Sequence, residues 1–270
     1  MEKVKVLFIS QEIIPYLPDS HMGTISRYLP QGTQERGREI RTFMPRFGAI
    51  NERRNQLHEV IRLSGMNLII DDNDHPLIIK VASIQQARMQ VYFIDNDDYF
   101  QRKFVFTDKN NKFFDDNDER AIFFSRGVLE TVKKLGWPPD IVHCHGWMTS
   151  VIPIYIKKAF KDNPVFTDAK VIYSLYNDDF EGTFKADFAK KIKTDGITNK
   201  DLVQYQNPNY VNLMKAAIDF SDALIIGENP INGQVKAYLE KSSKPLLIHS
   251  SPDTYISAYN EFYDQVLKME

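Results

Sequence analysis

His143, Cys144 and His145 are consecutive residues whose side chains ligate metals and, for the thiol, attack electrophiles. On a strand, alternate residues share a face, so both imidazoles point one way. A zinc site needs at least three protein ligands, and no third candidate stands near in the sequence. The expectation is therefore packed or hydrogen-bonded histidines, with no metal and no cofactor. Cys144 sits in an apolar run, where a buried, inert thiol is the usual outcome. Trp147 follows two residues after His145, and an aromatic face there could stack on the apolar C–H face of a sugar ring. Plain packing between helix and sheet is the other reading, and both stay open. Tyr16, Tyr176 and Asn177 could also contact a sugar, with a structural role the first expectation.

Two kinds of charge cluster read as surface or as local structure. Arg36, Arg38, Arg41, Arg46, Arg53 and Arg54 form a basic stretch, but acids intersperse with it, so a solvated face is expected. Asp71–Asp74, Asp95–Asp98 and Asp115–Asp118 lack the glycine and final glutamate of a calcium-binding EF-hand loop, so turns and helix caps explain them. Asp116 or Asn117 is expected to cap the helix that follows.

These residues need elements to place them. Val4–Ile9, Ile40–Met44, Val91–Ile94, Ile141–Cys144, Val171–Leu175, Ala223–Ile226 and Leu246–Ile248 are short, predominantly apolar runs, mostly β-branched or aromatic. Such runs suit strands buried on both faces, as in a parallel sheet. Asp118–Leu135 carries a helical apolar stripe and ends at Gly136 with Pro138 beyond. Thr149–Phe160, Tyr210–Phe220 and Ile231–Leu239 are further predicted helices. Strand–helix alternation predicts a doubly wound sheet with right-handed crossovers. His58–Asp71, Pro76–Ser83 and Met89–Asp95 have no helix between them and predict a small antiparallel insertion on the sheet, at about 55–95. Asp178–Asn209 is the least regular stretch and is expected to move. Tyr255–Lys268 places its aromatic and aliphatic residues on one side, which predicts a helix at about 254–268 capping the sheet.

The chain has 270 residues, 34 Lys plus Arg and 36 Asp plus Glu, a net charge of −2. A near-neutral chain has no global field to attract nucleic acid or an anionic membrane, and neither is expected as a partner. A single cysteine precludes an internal disulfide and fits a reducing compartment. No apolar run reaches bilayer length and no leader is evident, so the expectation is a cytoplasmic protein.

In open α/β sheets, ligands bind at the carboxyl ends of the strands. Several segments there resemble glycogen and starch synthases. Val6 to Glu12 with Pro15, Leu29-Pro30, and Pro45-Arg46-Phe47-Gly48-Ala49-Ile50 are similar to the family's opening. Tyr92 to Asn96, Tyr99-Phe100, Arg102, Asp116-Asn117, Arg120 and Phe123 to Arg126 are similar to its central block. Pro139 to Thr149 resembles its His-x-His-Asp-Trp segment; Asn177 and Gly182 sit at its His-Asn and Gln-Gly pairs. Lys215 and Ser221-Asp222 extend the resemblance to about residue 240. It implies a Rossmann-like, doubly wound, mostly parallel α/β sheet forming one half of a GT-B fold, with residues 1–270 as a single N-terminal-type domain. It also implies sugar- or nucleotide-binding candidates: Asn177, Tyr176, His145, Trp147, Gly48, Asp116 and Asn117.

The departures matter as much. The family's first loop carries Lys-x-Gly-Gly-Leu for the sugar nucleotide; here Pro18, Asp19, Ser20, His21 and Met22 stand there. Gly146 replaces an acid, Met148 a sugar-binding histidine, and Tyr176 the histidine before Asn177. Glu270 comes too soon for the second GT-B domain, which supplies most of the donor site. The resemblance therefore implies a catalytically degenerate domain, without catalytic residues of its own, that binds an α-glucan, a sugar or a sugar nucleotide. Two alternatives stand beside it. One is an active ADP-glucose to α-1,4-glucan transferase completed by a separate GT-B C-terminal domain protein; the other is a scaffold or homodimerisation module.

Overall fold

The computed structural model describes residues 2–269. In chain order the elements are β1 (Lys5–Ser10), α1 (His21–Glu35), β2 (Glu39–Pro45), β3 (His58–Glu59), β4 (Met66–Ile70), β5 (Asn73–Ile84), β6 (Met89–Asp95), α2 (Asp97–Phe100), α3 (Asn117–Leu135), β7 (Ile141–His145) and α4 (Ile152–Ile154). They continue through β8 (Lys170–Leu175), α5 (Phe188–Ile192), α6 (Tyr210–Phe220), β9 (Ala223–Ile226), α7 (Gly233–Leu239), β10 (Leu246–Leu247) and α8 (Tyr255–Leu267).

The strands order as β10-β9-β8-β7-β1-β2-β6-β5-β3, with β4 paired to β5. From β10 to β6 every pairing is parallel. The winding direction reverses between β1 and β7, and a crevice opens at such a reversal outside the carboxyl ends of the strands. Alternation along β1 explains the two layers. Leu7 and Ile9 enter one core with α3, α4 and α6. Val6 and Phe8 enter the other, against Met22, Ile25 and Leu29 of α1 and Tyr259, Phe262 and Tyr263 of α8.

One expectation is corrected and two are made more precise. The antiparallel insertion continues the main sheet: β6 runs parallel to β2, and β5 runs antiparallel to β6. All but one residue of β6 is buried, the pattern of an interior strand. The segment predicted as one helix over Thr149–Phe160 is broken. A 3-10 turn at Trp147–Thr149 precedes α4, which has Pro153 in its first turn, and Tyr155–Ala159 then forms a π-helical turn. The stretch after Asp178 is irregular as expected, yet Phe188, Ile192, Leu202 and Tyr205 are buried and tie it to the core.

No helix of the described residues is long and apolar enough to cross a membrane. α3 ends as predicted, with Gly136 in the left-handed region at φ 58° and its N–H donating to the carbonyls of Val132 and Lys133.

Candidate functional site

A cavity of about 770 Å³ opens at the reversal point. Its walls come from the ends of β1 (Gln11, Glu12), β7 (Trp147) and β8 (Asp178 to Gly182), and from the loop between α2 and α3 (Phe106, Thr107, Asn111, Phe113). Four side chains are carboxylates, four are aromatic, and none is Lys or Arg.

Gly146 is the pivot of the floor. Its φ is +87°, and a Cβ there would meet the Gln11 side chain at 2.4 Å. Only glycine takes this conformation without strain, which gives a local reason for the missing acid. Gln11 fills the space: its Oε1 accepts from the Met148 N–H at 3.0 Å, and its Nε2 donates to Asp178 at 3.5 Å. Met148 is fully buried in the core and does not reach the cavity.

Asp178 brings a carboxylate to this floor. Its oxygens accept from the Trp147 N–H at 2.8 Å and from the Tyr210 hydroxyl at 2.8 Å. Burial pushes its carboxyl up to about 6; these two donors oppose the shift and the nearby Glu12 charge adds to it.

The aromatic wall is a packed stack. Trp147 is 2% exposed and its ring centroid lies 4.8 Å from Phe106 and 5.1 Å from Phe180. Phe113 and Phe180 stack at 4.7 Å with planes 11° apart, and Phe180 continues onto Phe184 at 5.3 Å. Trp147 thus packs in the aromatic stack and lines the cavity at once.

The remaining predicted residues separate into three places. Gly48, Asp116 and Asn117 frame the loop that carries Phe106 and Phe113, and none of them lines the cavity. A Cβ on Gly48 would lie 2.2 Å from the Gln101 carbonyl, so the loop crosses directly over it. Asp116 forms a bidentate ion pair with Arg102 instead of capping α3. Asn117 donates to the Phe106 carbonyl at 2.8 Å and accepts from Arg120, so it does not cap the helix either. Arg120, fully buried, donates to the carbonyls of Tyr99 and Val105, each at 2.8 Å. Burial, reinforced by the Arg102 charge, pushes its guanidinium down to about 9.

His145 and Tyr176 lie on the α1 and α8 side of the sheet, joined by a 2.8 Å hydrogen bond. Burial pushes the His145 imidazole down to about 3, so it is neutral at pH 7. His143, its ring 3.9 Å away, shares its nitrogens with Tyr263 and Ser174 at 2.7 Å each. Asn177 is exposed and its N–H donates to Glu228 at 3.1 Å.

Gln11, Asp178 and Phe180 fall within Ser10–Thr24 and Asn177–Gly182, two of the segments that the strand-end rule places at the rim of a site, whereas Phe106 and Phe113 were not singled out from the sequence. Position at the carboxyl end of a strand was the signal for the first three; Phe106 and Phe113 gave none, because their loop has no period.

The first turn of α1 is closed. The Ser20 hydroxyl accepts from the Gly23 N–H at 2.9 Å and donates to the Glu12 carboxylate at 2.6 Å. The oxygens a phosphate would place there are already present.

The family described as the starch synthase catalytic domain matches residues 5–229. The glycogen synthase of Chlorobium limicola is 34% identical over 221 residues, covering 82% of this chain and 45% of that protein. That of Pelodictyon phaeoclathratiforme is 30% identical over 252 residues, covering 93% and 48%. The catalytic domain of starch synthase IV from Arabidopsis thaliana, bound to ADP and acarbose, superposes with a TM-score of 0.75 at 18% identity, covering 94% of this chain and 53% of that one. The chain spans about half the length of the curated relatives it matches, and its sheet is the Rossmann-like half of their fold. With matched motifs lying in order around the crevice at β1, β7 and β8, the chain belongs to the starch synthase catalytic domain family.

Proposed function

We propose that these residues bind a neutral α-glucan in the cavity at the strand ends and do not, by themselves, transfer glucose from a sugar nucleotide. The composition of the cavity wall carries this reading: aromatic faces and carboxylates, with no cation. Aromatic rings stack on sugar C–H faces and carboxylates accept sugar hydroxyls. A diphosphate beside Glu12, Asp178, Asp179 and Glu181 would meet like charge at short range in a partly dry site. Transfer requires stabilisation of the departing diphosphate, and cations or helix N–H groups are the usual means. Neither is free here, since Ser20 and Glu12 fill the first turn of α1. Asp178 orients the glucan: three of its lone-pair directions hold Tyr210, Trp147 and Gln11, and the fourth is left for a hydroxyl.

Calorimetric titration with maltoheptaose and, separately, with ADP tests the reading. Saturable maltoheptaose binding with no ADP heat is the expected result. ADP binding, or glucose transfer from ADP-glucose by the pure chain, would defeat it. The half-length match to the curated relatives favours a second reading, an ADP-glucose to α-1,4-glucan transferase completed by a GT-B C-terminal domain on another polypeptide. Transfer activity that appears only on mixing with such a domain would establish it.

A further inference from the structure

A second cavity, of about 250 Å³, lies away from the strand-end crevice, between the β4–β5 turn, α3 and the end of α5. Arg126, Lys190 and Lys193 line it, with Asp71 and Asp72 on the turn and Tyr155. The neighbouring Lys191 is already committed: its ammonium lies 3.0 Å from Asp118 and 2.7 Å from Glu119. Arg126 donates one N–H to the Ile69 carbonyl, which holds the guanidinium in place and leaves other donors unused.

Tyr155 provides an independent observation. It is 1% exposed, and its hydroxyl has no hydrogen-bond partner among the described residues. Leaving such a group unpaired costs about 1–3 kcal/mol, so an acceptor that reaches it is favoured. Tyr155 also opens the π-helical turn at Tyr155–Ala159, a distortion found often at functional sites.

We propose that this cavity binds the phosphate monoester of a small polyol. Arg126 and Lys190 neutralise the phosphate, with Lys193, whose ammonium also donates to Asn199 at 2.8 Å, adding charge beside them; the guanidinium offers paired N–H groups that match phosphate oxygens. The Tyr155 hydroxyl donates to the same group. Asp71 and Asp72 accept hydroxyls of the polyol, and they disfavour a bare phosphate, which offers them only like charge. The proposal is independent of the glucan reading, since the two cavities share no lining residue.

Calorimetric titration of the full chain with glycerol 1-phosphate, and separately with inorganic phosphate, tests it. Wild type is expected to bind glycerol phosphate at one saturable site, more tightly than inorganic phosphate. Lys190→Gln, at an exposed position, and Arg126→Gln should each weaken binding about tenfold, the loss of one charge-assisted contact. Tyr155→Phe, which preserves the ring, should weaken it about threefold. Circular dichroism confirms that each variant folds. Absence of saturable binding in wild type overturns the site, as does unchanged affinity in both charge variants. Tighter binding of inorganic phosphate overturns the polyol part and leaves free phosphate as the ligand.

Discussion

The strand-end cavity and the first turn of α1 occupy the same carboxyl edge of one sheet, yet one is open and the other closed. In the cavity, backbone and side chains retreat: Gly146 turns away, Met148 drops into the core, and the phenylalanine stack stands as a wall. At α1 the polar groups consume one another, with Ser20 bound to both Gly23 and Glu12. Position on the fold thus marks where ligands can bind. Local charge and the donors left unpaired decide which ligand is accepted.

The contrast breaks most visibly at Arg120, the buried hub of the loop that brings Phe106 to the cavity. Arg120→Ala leaves the carbonyls of Tyr99 and Val105 without donors and should cost about 3–4 kcal/mol in urea unfolding, with loss of glucan binding. A cost below about 1 kcal/mol would show that the loop is held some other way.

Gly146→Asp restores the family's acid and sharpens the comparison. At φ +87° with Gln11 in the way, it should destabilise the fold by about 2–3 kcal/mol and fail to improve binding. Tighter maltoheptaose binding in this variant would mean that the vacated acid position is still usable.

Asp178→Asn separates charge from shape. Because the folded carboxyl is raised to about 6, it holds a proton more firmly folded than unfolded. Its contribution is favourable at low pH and is lost as pH rises from about 4 through 6. Wild type should therefore lose stability across that window while the asparagine variant does not. Equal slopes in thermal melts at pH 4, 5, 6 and 7 would refute the buried-carboxyl account. Maltoheptaose affinity at pH 7 should fall about tenfold in the variant.

Ser20→Ala should be the mildest change, costing about 1 kcal/mol for the lost helix cap. ADP binding that emerges in Ser20→Ala would indicate that the closed turn, and not the lack of cations, is the barrier.

Much of the fold was legible because burial writes itself into short sequences. Runs such as Val91–Ile94 and Ala223–Ile226 are apolar without a break, the pattern of strands covered on both faces. The resemblance around His143–Thr149 lies at the crevice, and the candidates it offered fall in different places around it. Gly48, Asp116 and Asn117 stand in matched motifs, and the structure uses them to fold a loop over the site. Val91–Ile94 reads both as a parallel-sheet strand and as the end of the antiparallel insertion, and β6 takes both roles, parallel to β2 and antiparallel to β5; which neighbour lies on which side was not legible, since a strand's own residues do not name its partners.

By itself the sequence determined the alternation of strands and helices and the family, because these depend on residue type and local period. Only the tertiary structure decided that Asp178 faces Trp147, that phenylalanines separated by scores of residues form one wall, and that Ser20 and Glu12 close the turn of α1. Those are contacts between segments distant along the chain. Their geometry is set by how layers of the whole sheet pack, which no local pattern encodes.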